Sequence, residues 1–141
     1  MKWGLSIFIL LLGMMATSRS SFSQNKDIKI ALLSSLYLDT HFDAQGKPLQ
    51  QKGLNKQSIP ALEFYEGVSL AVDSLNQEGV NLSLQVFDIQ AKNGNIDKLL
   101  QNGSLNGFQL ILGQVSGSDY LKLASFSKSK NIPFVSATYP N

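Results

Sequence analysis

Four short apolar runs, IKIALL (28–33), LSLQVFD (82–88), FQLILG (108–113) and IPFVSA (132–137), alternate with three segments whose apolar residues recur every three to four positions. This alternation is the strongest constraint on the fold. A run of four to eight apolar residues suits a strand buried in a sheet, and the longer spacing suits one face of a helix. Strands joined by helices pair in parallel, because a helical crossover returns the chain to the same edge of the sheet. Right-handed crossovers then leave a doubly wound, Rossmann-like α/β fold, with helices on both faces of a parallel sheet. The flavodoxin-like strand order 2-1-3-4 is expected in preference to a sequential order.

The connecting segments carry their own signals. In IPALEFYEGVSLAVDSLNQEGV the apolar face is expected at Ala61, Phe64/Tyr65, Val68, Ala71/Val72 and Leu75, with Phe64 and Tyr65 in the core. Pro60 suits a first turn, Glu63 favours the positive end of the helix dipole, and Gly79 supplies the stop. LSLQVFD alternates Leu82, Leu84 and Val86 against Ser83, Gln85 and Phe87, so both faces should be partly covered. NIDKLLQNGSL reads as a short helix. SDYLKLASFSKSK reads as a helix with Tyr120, Leu121, Leu123, Ala124 and Phe126 inward. The polar stretch from Ser34 to about Ser58 shows neither period and is longer than most loops.

Ligands of open parallel sheets bind beyond the carboxyl ends of the strands. Three such ends carry small polar residues: Ser34 and Ser35 with Tyr37 nearby, Ser116-Gly117-Ser118 after Gly113, and Ser136-Ala137-Thr138-Tyr139. Gly113 is expected to permit a sharp turn. Gly117 would let main-chain N–H groups approach a ligand, and a helix opening there would favour a carboxylate or another anion. The plainer alternative is a capped helix start, with Ser116 or Ser118 as the cap.

Residues 1–23 read as a secretory signal. Lys2 precedes the 14-residue apolar run WGLSIFILLLGMMA, and Ser21 and Ser23 occupy the −3 and −1 positions of a cut before Gln24. The run is shorter than the ~20 residues of a membrane-spanning helix. An uncleaved N-terminal anchor is the alternative. Removing Lys2 and Arg19 leaves ten basic and ten acidic residues, a neutral chain that argues against nucleic acid or an anionic membrane as partner. The absence of cysteine excludes disulfides, thiolate metal sites, a cysteine nucleophile and a lipidated N-terminal cysteine. Export without cysteine suits a periplasm.

Other chemistries find little support. His41 is the single histidine, and Asp39, His41 and Asp43 alternate in DTHFD, which reads as a solvated loop rather than a metal site. Asp88 ends its run where a dinucleotide fold places its ribose acid, but no G-x-G-x-x-G follows the first run and no P-loop motif occurs. A hydrolase would need a nucleophile with a base, and nothing in the sequence brings Ser116 and His41 together. No catalytic residue, cofactor or metal is therefore assigned.

The phrases IKIALLSSLYL, ALEFYEGVSLAVDSLNQEGVNLSLQVFD, LILGQVSGSDY and IPFVSATYP, in this order, resemble the N-terminal lobe of type I periplasmic binding proteins, the leucine/isoleucine/valine-binding class among them. EFYEGVSLAVDSLNQEGV also resembles a branch of exported proteins joined to LysM domains, and the binding-protein-like lobe of outer-membrane activators of penicillin-binding proteins. The resemblance implies that residues 24–141 are the N-terminal part of a two-lobed domain, with a second lobe beyond Asn141. It implies a role in capturing an amino-acid-like solute for an ABC transporter permease. By resemblance, Ser116 to Ser118 hold the ligand's carboxylate, and Ser136, Ala137 and Thr138 its ammonium. Thr138 matches a family threonine in an Ala-Thr-x-Pro pattern. The family's Gly-Pro before the serine turn is Gly113-Gln114 here, and the Ser34–Ser58 stretch is an insertion. The alternative function is a cell-envelope interaction module, with a peptidoglycan-synthesis protein as partner and no small-molecule transport.

Overall fold

The computed structural model describes residues 27–49 and 53–138. The signal segment and Tyr139 lie outside these residues. The elements run β1 (Ile28–Ser34), α1 (Leu38–His41), α2 (Ile59–Gln77), β2 (Leu82–Asp88), α3 (Ile96–Gln101), β3 (Leu110–Gly113), α4 (Gly117–Lys130) and β4 (Phe134–Ser136). The four strands form one all-parallel sheet in the order β2-β1-β3-β4. This is the Rossmann-like arrangement expected from the alternation of strand and helix periods. In the stretch expected to be irregular, α1 contributes one helical turn and Phe42 bridges Pro48 in antiparallel fashion.

The two faces of the sheet differ. On one, Ala31, Leu33 and Ile111 pack with Ile96 and Leu99 of α3 and Leu123 of α4, and Phe87, Tyr120, Phe126 and Phe134 close the margins. On the other, α2 lies over β1 and β2. Beyond α2 on that face, Leu112 is half-buried and Val135 is 55% exposed.

This asymmetry corrects three expectations about side chains. In α2 only Ala61 and Val72 are buried, Phe64 and Val68 are half-buried, and Tyr65, Ala71 and Leu75 are exposed. A helix covering two strands buries a narrow stripe, so Tyr65 is not a core residue. In α4, Leu121 is 65% exposed and Ser127 is buried instead. At about 100° per residue, Leu121 lies roughly 160° around the helix from Leu123. In β2, Ser83 and Gln85 are exposed, so the face toward α3 is covered only near Phe87. Among the described residues, no helix is long and apolar enough to cross a membrane.

Candidate functional site

The register brings the three small-residue bends to one edge. Ser34 pairs with Asp88, and Gly113 pairs with both Leu33 and Ser136, so the bends after β1, β3 and β4 open side by side. What differs is whether their polar groups are engaged within the protein.

The bend after β1 is held by groups the sequence reading did not assign to it. The Ser34 hydroxyl is buried, 3.1 Å from Gln114 Oε1 and 3.5 Å from the Ala61 carbonyl. Gln114 also donates its main-chain N–H to Leu33 O at 2.9 Å and its amide to Pro60 O at 3.5 Å, tying β1 to β3 and to the start of α2. A proline at this position, as in the resembled family, could make none of these donations. The side chain of Asp88 accepts from the N–H groups of Leu36 (3.0 Å), Leu38 (2.7 Å) and Gln90 (3.0 Å). Its role here is to shape the first bend. Replacing Asp88 with alanine is expected to lower stability by about 1–3 kcal/mol, the loss of three charge-assisted bonds, one of them from the buried Leu36. Hydrogen exchange should accelerate first at the Leu36 and Leu38 amides. Ser35 remains half-buried, accepting from Gln90 Nε2 at 3.4 Å. Tyr37 adopts a left-handed backbone (φ 56°), and its carbonyl accepts from the Thr40 hydroxyl at 2.7 Å.

The bend after β4 is closed on itself. Ser136 Oγ lies 2.9 Å from Thr138 O and accepts from the Thr138 N–H at 3.2 Å. The Thr138 hydroxyl donates to Val115 O. The Ala137 N–H donates to Gly113 O at 2.9 Å. Residues expected to bind an ammonium group thus stitch β4 to the β3–α4 turn.

The bend after β3 is the open one. Ser116, Gly117 and Ser118 are all exposed. Ser116 stands at the N-cap position in extended conformation, but its side chain makes no capping bond, contrary to the capped-start alternative. Gly117 is left-handed (φ 58°), with open space around its Cα. Gly113 is not left-handed; a Cβ there would sit 3.0 Å from the Phe134 ring and 3.3 Å from Val115, so a side chain fits only if these neighbours shift. Asp119 in the first turn of α4 would repel an anion. It is partly offset by Lys122, whose Nζ lies 2.8 Å from Asp97 and 3.5 Å from Asp119. The hydrogen bond to Asp97 holds the Lys122 ammonium above the usual lysine range, and Asp119 adds to the effect.

His41 is not a solvated loop residue. Its Nε2 is 3.0 Å from Ser58 Oγ, which is buried and also 2.8 Å from Asn55 O. Asp39 accepts from the Lys92 N–H, and Asp43 from those of Gln45 and Lys47. Among the described residues, no group of three or more acidic or histidine side chains is placed to hold a metal ion.

Fold and geometry together define an open parallel α/β sheet in which α4 starts without a side-chain cap beside the carboxyl ends of the strands. In comparisons with known proteins, no family model, no curated protein and no solved structure matches this chain.

Proposed function

We propose that this chain is a lobe of an exported solute-binding protein, capturing a small amino-acid-like ligand for an ABC transporter. The observation that carries the reading is the open start of α4: exposed Ser116 and Ser118 hydroxyls beside a left-handed Gly117, with no side chain capping the first turn. Unpaired N–H groups and a partial positive charge there suit a carboxylate. Ser35 and Tyr37 border the same edge. For the ammonium-binding role of Ser136, Ala137 and Thr138 the bend offers only the remaining lone pairs of two hydroxyls that already donate to Thr138 O and Val115 O.

A one-sided rim binds weakly. A few bonds to a charged group contribute ~1.5–3 kcal/mol each, against an association penalty of at least ~4 kcal/mol. The expected dissociation constant is therefore about 1 mM. At ~10 mM amino acid the folded state gains about 1.4 kcal/mol. Ser116→Asp supplies its own carboxylate to the same amides. It should stabilise the ligand-free chain by about 0.5–1 kcal/mol and abolish the ligand-induced rise in melting temperature. A ligand shift of equal size in the variant contradicts the reading.

A second reading rests on the exposed apolar side chains of Leu38, Phe42, Leu49, Leu54 and Ile59, beside the first bend. They favour a protein partner in the cell envelope, such as a peptidoglycan-synthesis protein. Under that reading no amino acid moves the melting temperature, and Phe42→Ser weakens partner binding where Ser116→Asp does not.

A further inference from the structure

β2 ends the sheet, and its outer edge is open over a short, self-complementary stretch. The bonds from Ile28 N to Asn81 O and from Ile89 N to Ser34 O fix the ladder, so odd-numbered residues of β2 turn their main-chain groups toward β1. Those of Leu82, Leu84, Val86 and Asp88 therefore point outward. The Leu82 end of this edge is closed, and at the other end the Asp88 carbonyl is engaged while its N–H stays open. The Asn76 side chain accepts from Leu82 N at 2.7 Å and donates to Leu82 O at 3.1 Å, standing in for a neighbouring strand. Asp88 O accepts from Ala91 N at 3.2 Å. Between them, Leu84 and Val86 present two N–H and two C=O groups with no partner among the described residues.

We propose that two copies of this chain pair antiparallel through β2, about a two-fold axis at Gln85. Leu84 of each copy faces Val86 of the other, and the four donors and four acceptors of these residues are satisfied in four hydrogen bonds. The pairing needs no shift, because the open groups of Leu84 and Val86 are symmetric about Gln85, and the Asp88 N–H of each copy comes to face Leu82 O of the other, which Asn76 already engages. The half-buried side chains of Leu84 and Val86 line a groove of about 340 Å³ with Tyr65 and Val72 of α2, and the second strand covers it. No charged residue lies between Leu82 and Phe87, so the axis brings no like charges together along the strand. The strand also carries no lysine, proline or bulge, the usual guards of an edge. Along the groove, Tyr65 lies toward the Asp88 end of β2 and Asp73 toward the Leu82 end. The two-fold therefore turns a phenol of one copy toward the carboxylate of the other. The strand-end rims point in opposite directions and stay accessible.

The chain contains no cysteine, so a single engineered one reports the register. On the axis, Gln85 opposes its own copy as a non-hydrogen-bonded pair, ~4.5 Å between Cα atoms, within disulfide reach. Ser83 opposes Phe87, leaving its own copy about 13 Å away. Both side chains are exposed, and Ser83→Cys gives up only a surface hydrogen bond from the Ser83 hydroxyl to Asp27 (3.2 Å). Sedimentation across a dilution series should show a monomer–dimer equilibrium. Mild oxidation should cross-link the Gln85→Cys protein and leave Ser83→Cys largely monomeric. Gln85→Lys should sediment as a monomer with unchanged circular dichroism. A monomer at every concentration overturns the proposal. So does a dimer that Ser83→Cys cross-links equally well, or one that survives Gln85→Lys; either would place a different surface, or another occupant, on this edge.

Discussion

Gly94→Ala is expected to destabilise the protein by about 3 kcal/mol or more, at the upper end of what overpacking does. A Cβ on Gly94 would stand 2.0 Å from the carbonyl oxygen of Asp88, 3.1 Å from its carbon and 3.2 Å from Ala91 Cβ. The obstacle is main chain, so no rotamer change relieves it. The loop would have to move at Asp88, whose carboxylate holds the first bend of the rim. Damage therefore reaches the site as well as the stability. Gly67 makes the contrast: it lies inside α2 with nothing near its Cβ position, and Gly67→Ala should stabilise by about 0.5–1 kcal/mol. Urea unfolding of both variants measures the opposite signs.

Ile111→Ala should cost about 2–5 kcal/mol, a large share of the ~5–15 kcal/mol that holds a typical domain together. Ile111 is fully buried in β3, where both α3 and α4 pack on the sheet. Truncation leaves a cavity that two helices and a sheet cannot jointly fill. The midpoint of urea unfolding should fall with the slope unchanged. Val135→Ala, on the uncovered face of β4, should stay within about 0.5 kcal/mol of the parent. Equal losses at the two positions would contradict the described asymmetry of the sheet.

The architecture was legible because it depends on period. Short apolar runs against helical spacing sufficed for four parallel strands, and the crossover rule restricted their order. Which side chains of a helix are buried depends on how many strands it covers, and period does not carry that. Tyr65 and Leu121 fall on the apolar period yet stay exposed for this reason. At the rim, residue type marked the bends, and the register confirms that they share an edge. The partners of the hydroxyls were not legible. Ser34 meets Gln114 across 80 residues, and His41 meets Ser58 across 17. Gln114 did carry a signal, since an amide in place of an expected proline adds donors and an acceptor at a strand end. Asp88 stands where a dinucleotide fold places its ribose acid, and its three main-chain donors come from turns whose shape the sequence leaves open.

The central claim is that the uncapped start of α4 receives the anionic group of a small solute. Amide NMR during titration with an amino-acid mixture tests it most directly. The account predicts saturable shifts at the N–H groups of Gly117, Ser118 and Asp119, with smaller ones from Ser35 to Tyr37. Unmoved amides there, or shifts confined to the α2–β2 groove or the 38–59 loop, would contradict it.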